Sequence, residues 1–221
     1  MPRIVLGITG SVAAIRTPVI LEGLRAQGHA VRVVATEPSL HFFDPGDLPA
    51  DPSDPLGGPL FRDRDEWSES RWRRDDPVLH IELRRWADLL VVAPTDANTL
   101  AKFALGLSDN LLTCLFRAWD FARPVLLAPA MNTLMWDSPV TRRHLRLLLE
   151  DHGDGGPGLP WSVDDAPSIF ARHSRTLGLA APGFKRLACG DVGAGAMAEV
   201  ASILEEVRRR LDDHPPSDPF A

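Results

Sequence analysis

The sequence predicts an α/β fold, with a parallel sheet between two layers of helices. Three observations carry this. A β-branched run at residues 3–9, "RIVLGIT", meets a Gly-Ser turn, gives way to helical spacing over 12–27, and is followed by a second run, "AVRVVAT", at 30–36. That is a βαβ opening, and strands joined by a helix run parallel. Two later apolar runs, "DLLVVAP" (88–94) and "RPVLLAPA" (123–130), each reach an Ala-Pro pair, with helical sequence beyond. At 221 residues with 44% hydrophobic and 24% charged side chains, the chain suits one domain with a sizeable core.

Taken in order, the first helix carries Val12, Ile15, Val19, Ile20 and Leu24 on its apolar side, and Gly28 stops it. Residues 44–77 are rich in Pro, Asp and Gly and predict a long surface excursion, with Trp67 and Trp72 in its second half. "PVLHIELRRWA" (77–87) leads into the third strand, at 88–94. Helices are expected at about 98–107 and 109–120, then a fourth strand at 123–130 and a helix at about 138–150. Residues 153–182 show no period and predict a loop or a partly ordered insertion, with 153–178 as the inserted part. A final amphipathic helix is expected over 197–212, and 213–221 form a tail. The domain is therefore 1–212, with a glycine-rich stretch at 185–198.

Composition excludes several roles. A net charge of −6 disfavours nucleic-acid or membrane-surface binding. No apolar run reaches the length of a membrane span. The start "MPRIVLGITGSVAA" lacks the pattern of a signal peptide. The two cysteines, Cys114 and Cys189, are too few for a disulfide framework or a zinc site, so a reducing, cytoplasmic setting and no metal are expected.

Four places carry candidate chemistry. The turn "GITGSVAAIRT" joins a strand to a helix start, where free N–H groups and the hydroxyl of Ser11 suit an anion; an ordinary capped turn explains it equally. "APTDANT" (93–99) sets Asp96, Asn98 and Thr99 at the carboxyl edge of the sheet, where open α/β folds bind ligands, and where Asp96 or Asn98 can also cap a helix. "APAMNTLMW" (128–136) sets Asn132 at the same edge, with Met131, Met135 and Trp136 as either an apolar wall for a flat ring or core. His80 in "LHIELRRWAD" is followed by Arg84 and Arg85, which suit an anion or simply a solvated helix.

The blocks "VLHIELRRWADLLVVAPTDANTLAKFALGLSDNLLTCLFRAWD", "PAMNTLMWDSPVT" and "LACGDVGAGAMAE" resemble the flavin-containing cysteine decarboxylases, in the form found in plants and animals. The resemblance covers roughly residues 3–150 and 184–210, in order. It implies a Rossmann-like, three-layer flavoprotein with FMN held between subunits of a homo-oligomer, a trimer or a trimer-based dodecamer. By match to the family's motifs, Gly10, Ser11 and Val12 meet the FMN phosphate, Thr36, Ser39 and Phe42 touch the cofactor, and Asp96, Ala97, Asn98, Thr99 and Met131 line the flavin. His80 matches the active-site histidine, Asn132 the asparagine that binds the substrate carboxylate, and Cys189 the flap cysteine. Arg85, Met135, Ala188, Gly190 and Met197 fall at substrate-binding positions.

These residue types suit the implied chemistry. Direct loss of CO₂ from a cysteinyl carboxylate leaves an unstabilised carbanion, and oxidising the thiol first supplies an electron sink. His80 suits proton transfer near neutral pH. The resemblance implies oxidative decarboxylation of phosphopantothenoylcysteine to phosphopantetheine in coenzyme A synthesis. Decarboxylation of a peptide's C-terminal cysteine to an enethiol is the alternative, and a non-catalytic flavoprotein that regulates a phosphatase is a lesser one. Retention of His80, Asn132 and Cys189 argues against the last.

Overall fold

A computed structural model describes residues 1–48, 60–67, 71, 73–154, 161–186, 190 and 192–215. Its main sheet uses β1 (Arg3–Ile8), β2 (Ala30–Ala35), β3 (Leu60–Arg62), β4 (Leu89–Thr95), β5 (Val125–Pro129) and β6 (Leu177–Leu179). The six strands lie in the order β3-β2-β1-β4-β5-β6, and every neighbouring pair is parallel. The chain moves outward from β1 in one direction and then restarts at β4 in the other. The β1–β4 boundary is therefore the topological switch point, where two connections diverge and open a crevice at the carboxyl ends.

Alternation along β1 sorts the core into two layers. Ile4, Leu6 and Ile8 join Ile20, Leu21 and Leu24 of α1 (Thr17–Ala26) and Ile203 and Val207 of α9 (Val200–Asp213). Val5 faces the other way, with Leu83 of α3 (Leu79–Trp86), Leu100 of α4 (Ala97–Leu105), Leu112 of α5 (Leu111–Arg117) and Leu145 of α7 (Pro139–His152). Each fully buried aliphatic side chain contributes about 1.5–3 kcal/mol against exposure. These two layers are the three-layer arrangement that the sequence predicts.

Several elements depart from the expected bounds. The first helix is split into a 3₁₀ turn at Val12–Arg16 and then α1. Ser11 accepts from the Ala13 N–H, and Pro18 in the first turn of α1 cannot donate the bond that would join the two. α4 ends at Leu105 because Gly106 adopts φ 68° as a left-handed cap. The helix expected at 138–150 is preceded by a separate turn of helix, α6 (Thr133–Trp136). α9 starts at Val200, three residues later than expected.

Two stretches read as loops contain sheet strands. In the 44–77 excursion, Leu60–Arg62 forms edge strand β3 beside β2, followed by α2 (Asp63–Glu66). In the 153–182 stretch, Ala166–His173 forms α8 and Leu177–Leu179 forms β6 beside β5. α8 and its approach pack Trp161, Val163, Ile169 and Phe170 into the layer that also holds Trp136. Buried Arg210 of α9 anchors β6, donating to the Thr176 carbonyl at 3.1 Å and to Glu206 at 3.0 Å. Gly178 leaves room for that guanidinium. The flap contains an antiparallel pair, β7 (Gly183–Arg186) and β8 (Val192–Ala196). Trp72, Ala188, Cys189 and the end of the tail lie outside the described residues.

Candidate functional site

The carboxyl ends of β1 and β4 are tied together by side chains from the loops that follow them, and β5 joins through the Ala130 N–H, which donates to the Thr95 carbonyl at 2.9 Å. Thr9 Oγ1 donates to the Pro94 carbonyl at 2.9 Å and accepts from the Asp96 N–H at 2.7 Å. Asp96 caps α4, accepting from the Thr99 N–H at 2.6 Å, as one of the two readings of "APTDANT" expected. Gly10 lies between these loops. A Cβ there would stand 2.8 Å from Pro38 Cβ and 3.3 Å from Asp96 Oδ2, so the turn after β1 approaches both neighbours closely because it carries no side chain.

A cavity of about 360 Å³ opens beside this edge. Ser11, Val12, Met131, Asn132 and Met197 line it, so the structure brings five of the expected residues to one wall. Arg16 and Lys185 also line it. Asn132 caps α6, accepting from the Leu134 N–H at 2.8 Å. Flap strand β8 closes on α6, where Gly195 accepts from the Met131 N–H at 2.9 Å. Gly195 adopts φ 113°, and a Cβ there would sit 2.6 Å from the Met131 carbonyl oxygen. Lys185 forms an ion pair with Glu199 at 2.8 Å, and this pairing holds the Glu199 carboxyl below its ordinary range.

Other expected residues sit at the same edge in different roles. Thr36 and Ser39 are buried, and their hydroxyls donate to the Ile8 and Thr36 carbonyls, which fixes the turn after β2. Phe42 is half-buried and edge-on to His41. Ala97 and Asn98 open α4, with Asn98 exposed and Thr99 buried. Of the two readings of Trp136, wall or core, the core one holds: it is 1% exposed, its Nε1 donating to Asp164 at 3.4 Å. Met135 is exposed. Gly190 adopts φ 93° with no heavy atom within 4 Å of a would-be Cβ among the described residues.

His80 and Arg85 are not among the described residues lining the cavity. They stand on α3, whose Leu83 enters the core layer on the other side of the sheet from Ile4 and Ile20. Arg85 is exposed and paired with Glu82 at 3.0 Å, matching the solvated-helix reading. His80 Nδ1 lies 2.6 Å from Glu66 Oε1. Sequence reasoning missed Glu66, Arg16 and Lys185. Glu66 lay in a stretch read as surface loop, and an isolated carboxylate there carries no sequence signal.

The edge fits a flavin on its own chemistry. Met131 and Met197 give the cavity an apolar wall suited to a flat ring, beside the polar Asn132. At the turn after β1 the Ser11 hydroxyl, in the cavity lining, can donate to a phosphate, while the Ser11 N–H is held by the Thr9 carbonyl at 2.7 Å. A family model described as flavoprotein matches residues 1–212. The chain belongs to the flavoprotein family. It is similar to the phosphopantothenoylcysteine decarboxylase of Mus musculus, 43% identical over 213 residues, covering 96% of this chain and 88% of that one. A solved structure of a PPC decarboxylase variant complexed with pantothenoylaminoethenethiol is 45% identical with a TM-score of 0.76, covering 96% of this chain and 98% of the other. The structure of the FMN binding protein AtHal3 is 45% identical with a TM-score of 0.74, covering 97% and 99%. The family and the edge chemistry agree on a flavin as cofactor.

Proposed function

We propose that this protein is an FMN-dependent decarboxylase of phosphopantothenoylcysteine. One observation carries the reading beyond family membership: the cavity combines the Asn132 wall with Arg16 and with Lys185, the latter paired with Glu199 in the same lining. A substrate with a carboxylate at one end and a phosphate at the other needs a polar anchor and a separate positive one. A peptide ending in cysteine needs only the first. Likeness over nearly the full chain to a phosphopantothenoylcysteine decarboxylase supports the same choice.

In this reading Gly10, Ser11 and Val12 receive the FMN phosphate, and Thr36, Ser39, Phe42, Asp96, Ala97, Asn98, Thr99 and Met131 surround the cofactor. Bound flavin would accept two electrons from the cysteinyl thiol and return them to the ene-thiol, so no other oxidant or reductant is needed. Asn132 donates its amide N–H to the substrate carboxylate and orients it without the strong hold of a salt bridge, so CO₂ can leave. Lys185 exchanges Glu199 for the substrate phosphate. Met197 and the flap strands exclude water. Cys189 returns a proton when the ene-thiol is reduced. His80 moves a proton at Nε2, since Nδ1 faces Glu66.

His80 reaches the cavity from a second copy of the chain. Val12, Ile15 and Val19 form an exposed apolar stripe beside the cavity that suits such a contact. A homo-oligomer, trimer or dodecamer, in the cytoplasm completes the reading. The test is incubation of the purified yellow protein with phosphopantothenoylcysteine and, separately, with a peptide ending in cysteine. Turnover of the first alone is expected; turnover of the peptide alone overturns the assignment.

A further inference from the structure

α2 is a four-residue helix, "DRDE", in which three carboxylates each grip a backbone N–H elsewhere. Asp63 Oδ1 accepts from the Leu111 N–H at 3.0 Å, at the start of α5. Asp65 Oδ2 accepts from the Arg62 N–H at 2.7 Å. Glu66 Oε2 accepts from the His80 N–H at 2.9 Å, in the first turn of α3. Val78, at the N-cap position of α3, offers no side-chain acceptor, so Glu66 caps this helix from fourteen positions away.

Glu66 makes a second contact that capping does not require. Its other oxygen, Oε1, lies 2.6 Å from His80 Nδ1. The Glu66 side chain is 6% exposed and that of His80 is 21% exposed. A buried carboxylate only accepts hydrogen bonds, so the ring nitrogen facing it carries the proton. The other nitrogen, Nε2, is then left to exchange a proton with a ligand. The backbone bond fixes the position of the residue, and the ring bond fixes its orientation and tautomer.

We propose that Glu66 is the positioning residue for His80, holding its proton on Nδ1 and presenting Nε2 to the reaction. This rests on the reading of His80 as the proton-transfer residue given above. The bond from Asp63 to α5 makes the arrangement stiff, because α2 is fixed independently of α3. Glu66→Gln preserves size and one acceptor oxygen. With that oxygen on the His80 N–H, the amide can only donate toward Nδ1, which favours the opposite tautomer.

The test uses full-length, flavin-loaded protein labelled with ¹⁵N-histidine, with His80→Asn assigning the His80 signals. Phosphopantothenoylcysteine is the substrate. For Glu66→Gln we expect kcat to fall at least roughly tenfold, the scale seen when partners that orient a functional histidine are lost. KM is expected to stay within about twofold, flavin content to hold, and the His80 ¹⁵N pattern to move from the Nδ1–H to the Nε2–H form. A second variant, Val78→Asp with Glu66→Ala, removes both Glu66 contacts and supplies a local cap for α3 without touching the ring. Its kcat should stay low. Recovery of kcat in the double variant, or an unchanged His80 tautomer in Glu66→Gln, reduces Glu66 to a helix cap and overturns the proposal. If His80→Asn itself turns over normally, the reading of His80 fails instead. The tautomer result then still reports on the Glu66 contact.

Discussion

Replacing Gly195 by alanine should damage the site through the backbone rather than through any lost contact. Gly195 sits at φ 113°, a conformation that costs a residue with a Cβ about 1–3 kcal/mol. The new methyl would also stand 2.6 Å from the Met131 carbonyl oxygen, well inside contact distance. That atom is backbone, immediately before Asn132, so relief requires moving the turn that forms the cavity wall. Together these put the loss at about 2–4 kcal/mol, or a Tm drop of about 4–16 °C for a chain this long. Thermal unfolding of the flavin-loaded protein and its flavin absorbance measure both effects. Gly193→Ala is the control. Its Cβ would meet the Thr133 side chain at 2.6 Å, and Gly193 is not among the glycines with positive φ. Adding Thr133→Ala should restore Gly193→Ala and leave Gly195→Ala unrescued. A Gly195→Ala protein with unchanged Tm and full flavin content refutes the reasoning.

Three further outcomes follow from the same geometry. His80→Asn should abolish turnover while the protein stays yellow; a colourless variant assigns His80 to cofactor binding instead. Lys185→Ala should raise KM for phosphopantothenoylcysteine about tenfold, as expected for one charged hydrogen bond, and leave KM for unphosphorylated pantothenoylcysteine near its starting value. Equal effects on both substrates remove the phosphate role. His152 lies stacked on Phe121 at 3.7 Å, and burial lowers its affinity for a proton, opposed by Asp151 and reinforced by Arg117. Its folded value is depressed, so below about pH 6.5 the unfolded chain takes up a proton that the folded chain resists, and stability falls as pH drops. His152→Gln should flatten that slope by at most about 1.4 kcal/mol per pH unit in denaturant melts at pH 5–7, and an unchanged slope contradicts it.

The parts of the fold legible in the sequence are those with a strong period and clear stops. β1, β2, β4 and β5 are buried β-branched or leucine runs, and the helices after them show one apolar side. β3 and β6 were not legible because each has three residues, too few to display alternation. β6 moreover contains Gly178, a weak strand residue whose reason is Arg210, about thirty positions later and invisible to any local pattern. The split in the first helix was written in Pro18 but masked by the continuous apolar spacing around it.

The candidate site was legible where it rests on strand ends. Ser11, Met131 and Asn132 meet at one cavity because the parallel sheet delivers the loops of β1 and β5 to one edge, and Met197 joins them from the end of β8. The charges around it were not legible. Lys185 and Glu199 are fourteen positions apart on different elements, and Glu66 becomes significant only when α2 folds against α3. Trp136 shows the converse. The motif left it open between a ring-stacking wall and core, and packing by the 161–170 segment made it core.

The central claim is tested most directly by the mass of the product that the flavin-loaded protein makes from phosphopantothenoylcysteine without air. The account predicts a product lighter by CO₂ alone, because the ene-thiol is reduced before release, and lighter by CO₂ and two hydrogens when Cys189 is replaced by serine. Release of the doubly lightened product by the unaltered protein, or an unchanged substrate mass with flavin bound, contradicts it.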